Sequence, residues 1–318
     1  MMLASLCCAA LATFAGGQTE PPPPVSVPVA VVQATTVELE APKYHVGGGA
    51  SMPVTVTITA NEATEIPAWA LGWNAFRVGG KALGKRPKGM LALTAGQTIS
   101  TTIDLGEHLP ANVKGVLELE YDALNGAKAS ITMFERAAKD IDFMSCDVAE
   151  LSNYQVLMRT NRGDIWLDFY PDLAPNHVRN FLDLSHTGFY DGSGYHRVIP
   201  NFMIQGGRHA EGKVAPRSVQ AEFSKEKHKR GILSAARLGN DIHSASSEFF
   251  IMHQANPGLD GQYSIYGIAL DGLDVVDKIV VTGDPRYSSQ RPEGFTPTTP
   301  QIIEFAAVVH AVREDKKD

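Results

Sequence analysis

Cysteine is scarce in this chain of 318 residues, which contains only Cys7, Cys8 and Cys146. Because the first two lie in the extreme N-terminal segment, a chain processed after that segment keeps one cysteine and has no intramolecular disulfide framework. Long basic runs are also absent, and the formal net charge is -7. This charge balance argues against general nucleic-acid binding.

Histidine is plentiful, but the spacing that a helical metal site requires is missing. No two histidines form an H-x-x-x-H pair with a nearby carboxylate on a shared helix, so we expect solvated or structural imidazoles and no metal. Gly192-Ser193-Gly194 has no helix after it and does not predict a phosphate site. No G-x-S-x-G elbow surrounds Ser246-Ser247, which we interpret as turn residues and not as a nucleophile.

The N-terminal segment is apolar but too short to span a bilayer. Residues 2–14 are apolar apart from Ser5 and Thr13, and small residues follow at 15–17, so residues 1–17 fit a secretory signal peptide. The segment lacks the usual positive charges, since the first Lys or Arg is Lys43, which leaves a misplaced start or an unprocessed tail open. We expect export to the periplasm or cell envelope, or a cytoplasmic protein if the segment is not a signal.

The composition predicts two globular domains after a tether. A hydrophobic content of 44% and a charged content of 20% allow sizeable buried cores over this length. Residues 18–35 contain Pro21 to Pro24 followed by Val-Pro alternation. This pattern predicts an extended, proline-rich linker.

Short strands with a period of two fill residues 36–136. Valine and isoleucine alternate with threonine at 54–59, and the runs 116–121 and 128–134 are joined through Leu124-Asn125-Gly126, a hairpin signal. No helical period competes over this region. We predict an immunoglobulin-like β-sandwich that lacks the paired cysteines of antibody domains.

The pattern changes again after residues 137–152, which mix charged and apolar residues and are interpreted as a linker. Strands are predicted at 154–159 and 165–169, a helix begins at Pro175, and a second helix covers 273–280. A last strand lies within 302–312. Two helices among about eight strands predict a mainly β domain, a closed barrel with helices covering its ends.

The stretch from Tyr195 to Gly207 consists of two short apolar runs hinged at Pro200-Asn201. Alternation predicts that Tyr195, Arg197 and Ile199 share one face, that His196 and Val198 share the other, and that Phe202 and Ile204 oppose Met203 and Gln205. A cation beside large apolar side chains and an amide is unusual for a core strand. On composition alone, an edge hairpin whose Arg197 points outward explains the stretch equally well.

The same stretch resembles the FHRVIPNFMIQGG motif of cyclophilins, the cyclosporin-binding class of peptidyl-prolyl cis/trans isomerases. Later blocks resemble the family in the right order: Gly231-Ile232-Leu233-Ser234, Phe249-Phe250-Ile251 and Leu259-Asp260-Gly261. The resemblance covers residues 153–313 and leaves out the N-terminal half and a charged tail at 314–318. It implies an eight-stranded antiparallel barrel capped by two helices and an isomerase that needs no cofactor.

The resemblance also assigns a site. It makes Arg197 the catalytic residue and implies that proline-containing polypeptide segments are the partners. The substrate-binding residues it implies are Phe202, Met203, Gln205, Ala236, Arg237, Glu248, Phe250, Leu259 and Tyr263. Rotation about an X-Pro bond must cross a barrier of about 18–20 kcal/mol. A guanidinium that donates toward the twisting prolyl nitrogen lowers this barrier without a nucleophile or a metal.

The chain departs from the family at the wall opposite Arg197. Glu248 stands where the family normally has Gln, Tyr263 where eukaryotic members carry a His, and Arg208 where Asp is usual. Gly258 occupies the family's indole position, so we expect weak cyclosporin binding. These departures keep a rival hypothesis open, a proline-binding or chaperone module with weak or no isomerase activity. A third hypothesis gives the sandwich the task of recruiting clients or envelope partners.

Overall fold

The computed structural model describes residues 34–47, 50–109, 114–124, 126–208, 212–280 and 296–311. The predicted signal peptide, most of the proline-rich linker, Asn125 of the predicted hairpin turn and the charged tail lie outside the described residues. Within the described residues, no helix is both long enough and apolar enough to cross a membrane.

The N-terminal half of the described chain consists of ten short strands. They are β1 (Thr35–Glu40), β2 (Tyr44–His45), β3 (Pro53–Ala60), β4 (Thr64–Pro67), β5 (Phe76–Val78), β6 (Lys81–Ala82), β7 (Met90–Leu93), β8 (Thr98–Asp104), β9 (Gly115–Tyr121) and β10 (Lys128–Met133). One sheet has the order β1-β3-β8, a second has the order β2-β10-β9-β5-β6, and β4 pairs with β7.

The alternation predicted for β3 places its valine and isoleucine side chains in the core. Val54, Val56 and Ile58 are fully buried, while the threonines between them lie on the solvent side and bond to β8, as in the 2.9 Å contact between Thr55 and Thr102. The buried residues of both sheets, among them Phe76 of β5, form one apolar cluster. The N-terminal half is therefore a β-sandwich. One pair departs from the antiparallel pattern, because β2 runs parallel to β10.

The described residues of the C-terminal half form a single sheet of eight strands with three α-helices. The strands are β11 (Tyr154–Thr160), β12 (Gly163–Phe169), β13 (Arg197–Ile199), β14 (Met203–Gly206), β15 (Ile232–Ala235), β16 (Phe249–Met252), β17 (Ile265–Asp271) and β18 (Ile303–His310), and the helices are α1 (Val148–Leu151), α2 (Pro175–His186) and α3 (Leu273–Val280). The order is β13-β14-β16-β15-β17-β12-β11-β18, and every pair is antiparallel.

The two ends of this sheet meet and close it into a barrel. The segment just before β13 bonds to the start of β18: the N–H of Gly192 donates to the Ile303 carbonyl at 2.8 Å, and the N–H of Tyr195 donates to the Gln301 carbonyl at 2.9 Å. These bonds join the two ends of the curled sheet. The predicted fold class, mainly β with a sandwich followed by an eight-stranded antiparallel barrel, is confirmed.

Both predicted long helices are present and bury the faces that their spacing indicates. Helix α2 starts at Pro175, whose fixed φ suits a first helical turn, and it buries Val178, Phe181 and Leu182. Helix α3 covers the predicted range and buries Val275, Val276 and Ile279. The short helix α1 is capped by Asp147, whose side chain accepts from the Glu150 N–H at 2.7 Å.

The segment between the domains packs against the barrel instead of lying free. Phe143 and Leu151 are fully buried and belong to the main core of the barrel. Where the segment begins, the N–H of Ala137 donates to the Val308 carbonyl at 2.9 Å, and the backbone carbonyl of Glu135 accepts from the N–H of His310 at 3.0 Å. The connection therefore extends the sheet beside β18.

The sandwich and the barrel share a small apolar core of their own. Tyr44 and Phe134 of the sandwich pack with Leu157, Ala307 and Val309 of the barrel. Polar contacts surround this core, since Lys43 of the sandwich lies 2.6 Å from the carboxylate of Asp271. This interface uses β11, β12, β18 and the end of β17, whereas β13 to β16 and the start of β17 carry the candidate site.

Candidate functional site

The hairpin of β13 and β14 forms one wall of the candidate site. Its register pairs Arg197 with Gln205, Val198 with Ile204 and Ile199 with Met203. The turn between the strands places Asn201 at φ 61°, a left-handed conformation that Asn tolerates better than most residues. Opposite residues of a pair share a face. Arg197, Gln205, Ile199 and Met203 therefore point away from the barrel core.

Simple alternation fails at both ends of this hairpin. Tyr195, which was expected to share the face of Arg197, is 2% exposed and lies in the main barrel core. Phe202, which was expected to oppose Met203, packs in the same apolar cluster as Met203. Both residues lie just outside the strands, where the backbone is not extended and a period of two does not apply.

A second apolar cluster, separate from the main core, lies on the outer face of the five strands β13 to β17. We call it the outer cluster. Its buried members are Ile199, Met203, Ile232, Ala236, Phe250, Met252 and Ile265, and Tyr170, Phe202, Leu259, Tyr263 and Ile268 pack against it partly exposed. Alternation along β16 explains the division, because Phe249 and Ile251 belong to the main core. The apolar and aromatic residues predicted for substrate binding thus come together in one place.

Aromatic contacts fix the floor of the outer cluster. The ring of Phe250 meets that of Tyr263 edge to face, with centroids 5.6 Å apart. Behind it, the buried imidazole of His228 stacks on Phe250 at 6.1 Å and lies 3.1 Å from Asp260 and 3.2 Å from Ser234. Burial lowers the pKa of His228 even though Asp260 acts in the opposite direction. A neutral histidine therefore supports the floor, consistent with the structural role expected for it.

A row of polar side chains borders the cluster. Arg197 lies with its guanidinium carbon 5.9 Å from the centre of the Phe202 ring and donates from one terminal nitrogen to Oε1 of Gln205 at 3.2 Å. The Nε2 of Gln205 donates to Oε2 of Glu248 at 2.9 Å. Glu248 precedes β16 directly, and β16 pairs with β14 through Gln205 and Phe250. The sheet register therefore brings the three polar groups into line.

Glu248 has two further polar neighbours that the sequence reasoning did not assign to the site. Arg208 donates to its Oε1 from Nε at 3.1 Å and from a terminal nitrogen at 3.0 Å, and Nε2 of His196 lies 3.3 Å from its Oε2. Burial opposes ionisation of Glu248, but the contacts with His196, Arg208 and Gln205 lower its pKa to about 2. Only the charge reversal at Arg208, noted as a departure from the family, could have indicated this contact.

The remaining predicted residues lie on the loop after β15 and near a short 3₁₀ turn. The N–H of Ala236 donates within the protein, to the carbonyl of Glu248 at 2.9 Å. The guanidinium of Arg237 lies 4.6 Å above the ring of Tyr263 and donates to the carbonyl of Gln262. Gly258 sits in the turn before Leu259 and contributes no side chain. Within the described part of the chain, no group of three or more His, Cys, Asp or Glu side chains is placed to hold a metal ion.

The model of one protein family matches residues 155–295; its description is cyclophilin type peptidyl-prolyl cis-trans isomerase/CLD. A probable peptidyl-prolyl cis-trans isomerase of Brucella abortus is 41% identical over 138 residues, which cover 39% of this chain and 70% of that protein. The chain belongs to the cyclophilin family. It is accordingly a peptidyl-prolyl cis-trans isomerase, and the family match includes the hairpin and the outer cluster.

Other peptidyl-prolyl cis-trans isomerases each match about half of the chain. A peptidyl-prolyl cis-trans isomerase of Acinetobacter baylyi is 37% identical over 157 residues, covering 46% of this chain and 82% of that protein. A crystal structure of a Cryptosporidium parvum cyclophilin, determined in the presence of the dipeptide Ala-Pro, is 28% identical and covers 50% of this chain and 99% of its own, with a TM-score of 0.44. The N-terminal sandwich lies before the residues matched by the cyclophilin family model.

Proposed function

We propose that this cyclophilin isomerises X-Pro bonds in extended, proline-containing polypeptide segments, with Arg197 as the catalytic residue. One observation carries the proposal: Arg197 and Gln205 face each other across the hairpin, beside Phe202 of the outer cluster. A donor-only cation therefore lies beside an apolar surface that suits a proline ring. The proline ring is compact and apolar, whereas the amide that twists in the reaction is polar, so the substrate requires both kinds of surface.

The proposed chemistry weakens amide resonance without forming a covalent bond. Planar amide resonance sets the barrier of about 18–20 kcal/mol, and the twisted state has a pyramidal prolyl nitrogen that accepts a hydrogen bond. A guanidinium donates only and stays protonated, so Arg197 stabilises the twisted amide more than either planar state. The apolar side chains Phe202, Met203, Phe250 and Leu259 hold the ring while the rest of the peptide turns.

Loose side-chain specificity follows from the surroundings of the outer cluster. In the proposal, backbone groups near Ala236 and Arg237 pair with the extended peptide in the manner of an added strand. The N–H of Ala236 is already bonded to Glu248, so the pairing uses other backbone groups of this loop. Main-chain hydrogen bonding discriminates little between side chains, and the clients are therefore unfolded or flexible segments of many sequences.

Kinetics on a proline peptide test the role of Arg197. We expect Arg197→Ala to lower kcat/KM on the order of 100-fold, the size of effect seen when one transition-state donor is removed, and Arg197→Lys to restore only part of it. Arg77→Ala, which removes a cation from the sandwich that pairs with Asp122, is the matched control. A rate for Arg197→Ala equal to wild type would refute the assignment. Exchange broadening between the cis and trans NMR signals of the peptide separates turnover from binding alone.

The proposal also places the protein outside the cytoplasm, in the periplasm or cell envelope. Its support is the apolar segment at 2–14 followed by small residues at 15–17. Fractionation of cells that express the full chain, together with the mass of the purified protein, tests this point. Export predicts a mature protein that begins near Gln18, and an intact N-terminus in the cytoplasmic fraction would contradict it.

A further inference from the structure

The contact between Gln205 and Glu248 fixes which way the Gln205 amide points. A glutamine amide has one donor end and one acceptor end, whereas an ionised carboxylate only accepts and a guanidinium only donates. In the structure the donor end, Nε2, lies 2.9 Å from Glu248, and the acceptor end, Oε1, lies 3.2 Å from a nitrogen of Arg197. Reversing the amide would place oxygen against oxygen and N–H against N–H. Only the observed orientation satisfies both partners.

Glu248 is itself held by donors on its other side. One oxygen accepts twice from Arg208, and the other, which accepts from Gln205, also lies 3.3 Å from His196. Hydrogen bonds to a charged group are stronger than neutral ones. Both oxygens are thus engaged within the protein, and any substrate N–H at Glu248 must compete with them. This arrangement argues for a supporting role of Glu248 and not for direct contact with the peptide.

The glutamine that cyclophilins normally carry at this position would not give the same orientation here. A glutamine has a single oxygen, and Arg208, which only donates, would turn that oxygen toward itself. The NH₂ group of the substituted side chain would then face Gln205, which would offer its own oxygen in reply and direct its NH₂ group at Arg197. His196 can adapt in either case, because an imidazole nitrogen donates or accepts according to its tautomer. The conflict therefore depends on Glu248 and Arg208 together.

We propose that Glu248 is a positioning residue: it orients the Gln205 amide so that the amide oxygen holds the guanidinium of Arg197, and Arg208 makes a carboxylate necessary at this position. The relay runs from Arg197 through Gln205 to Glu248, and bonds in such a chain strengthen one another. This inference rests on the proposed catalytic role of Arg197. It also explains why the chain differs from the family at Glu248 and at Arg208 together.

A double-mutant cycle tests the relay, with kcat and KM measured on one proline peptide for wild type, Glu248→Gln, Arg208→Ala and the double variant. We expect Glu248→Gln to lower kcat about 10-fold with little change in KM, since it disturbs Arg197 and not the outer cluster. Arg208→Ala is expected to lower kcat less than about 3-fold. The kcat of the double variant is expected to be at least about 3-fold higher than the kcat of Glu248→Gln, because without Arg208 the introduced amide can reverse. A residue that merely supports the fold would not show this rescue.

Two further variants separate failure of the relay from failure of the proposed function. Glu226→Gln, an isosteric change at a carboxylate paired with Lys229 in a different loop, is the matched control and is expected to match wild type. The relay is overturned, and the role of Arg197 stands, if Arg197→Ala lowers kcat while Glu248→Gln has the kcat of wild type. The same conclusion follows if Arg197→Ala lowers kcat and the kcat of the double variant is no higher than that of Glu248→Gln. If Arg197→Ala matches wild type, the role of Arg197 and the relay are both overturned.

The NMR signals of the Gln205 side-chain amide provide a second readout that does not depend on turnover. Bonding to a carboxylate predicts a downfield Nε2 proton in wild type that moves upfield in Glu248→Gln. The same signal is expected to change little in Glu226→Gln. An unchanged Gln205 signal in Glu248→Gln would contradict the proposed orientation even if the rate fell.

Discussion

The guanidinium of Arg159 lies 2.8 Å from the carboxylate of Asp164 in the barrel and reaches across the domain interface with its remaining donors. It donates to the carbonyl of Ser51 and to that of Tyr44, both at 2.7 Å. The side chains of Arg159 and Asp164 are only 4% and 10% exposed. Burial raises the pKa of Asp164 despite the opposing effect of Arg159. The buried guanidinium of Arg159, paired with Asp164 within the barrel, therefore connects the barrel to the sandwich.

Removing the cation of this pair is expected to destabilise the protein strongly. Arg159→Met leaves a buried carboxylate and two backbone carbonyls without their donor, which costs about 3–5 kcal/mol of unfolding free energy. Urea unfolding of the full chain measures it. Lys278→Met, which breaks an exposed pair with Asp274 on α3, is the control and should change stability by less than about 0.5 kcal/mol. Equal stability of the two variants would contradict the importance of the buried pair.

The same interface is expected to weaken in mild acid through His45. This imidazole is fully buried; its Nδ1 accepts from the N–H of Gly47, so Nε2 carries the proton and faces the carbonyl of Ala50 at 3.1 Å. Burial, followed by the nearby charge of Arg159, lowers the pKa of His45 to about 4. The folded protein thus holds His45 neutral at pH values where the unfolded chain protonates it.

The sign of the pH dependence follows from this difference. Below about pH 6.5 the unfolded state binds a proton at His45, whereas the folded state does not. The contribution of His45 to the free energy of unfolding is therefore complete above about pH 6.5 and is lost as the pH falls toward about 4. The loss amounts to at most about 3 kcal/mol of unfolding free energy. Urea unfolding at several pH values should show a shallower dependence for His45→Gln than for wild type, and parallel curves would contradict the prediction.

Loss of the aromatic floor is expected to weaken substrate binding. Phe250→Ala removes the ring that packs against Tyr263 and should raise KM roughly 30-fold, equivalent to about 2 kcal/mol of lost apolar contact. Leu270→Ala on β17, where the side chain is already exposed, is the control and should leave KM unchanged. A normal KM for a folded Phe250→Ala variant would place the proline ring elsewhere.

The missing side chain at Gly258 is expected to limit cyclosporin binding. Gly258 has an ordinary backbone conformation, and a Cβ there would meet only the Oδ1 of Asn256, at 3.1 Å, so a larger residue fits after a small adjustment of that side chain. An indole adds apolar area and one N–H donor. We expect Gly258→Trp to strengthen inhibition by cyclosporin at least about 10-fold, the equivalent of about 1.4 kcal/mol.

Gly258→Ala separates the indole from the mere loss of glycine, since it adds a methyl group alone. It is expected to bind cyclosporin as weakly as wild type and to keep the isomerase rate. If Gly258→Ala and Gly258→Trp respond alike to the drug, the indole is not the missing element.

Much of the fold could be predicted because one face of each long element is buried. The alternation at Val54, Val56 and Ile58 and the helical spacing at Val178 and Phe181 each follow from local geometry. Prediction failed where the chain leaves regular structure. Tyr195 and Phe202 border strands, so a period of two assigns them to the wrong faces, and only the packing of neighbouring elements places them.

Local patterns and motif residues that resemble a family were enough to predict the mainly β class, and they also predict a division near residue 137 and the members of the candidate site. The contacts of those residues, in contrast, depend on how distant strands pair in the fold. The register of β14 on β16 brings Gln205 beside Glu248, and the closed barrel presents Arg159 to Tyr44 across the interface. Both are contacts between residues far apart in the chain, and they depend on strand pairing that no local pattern encodes.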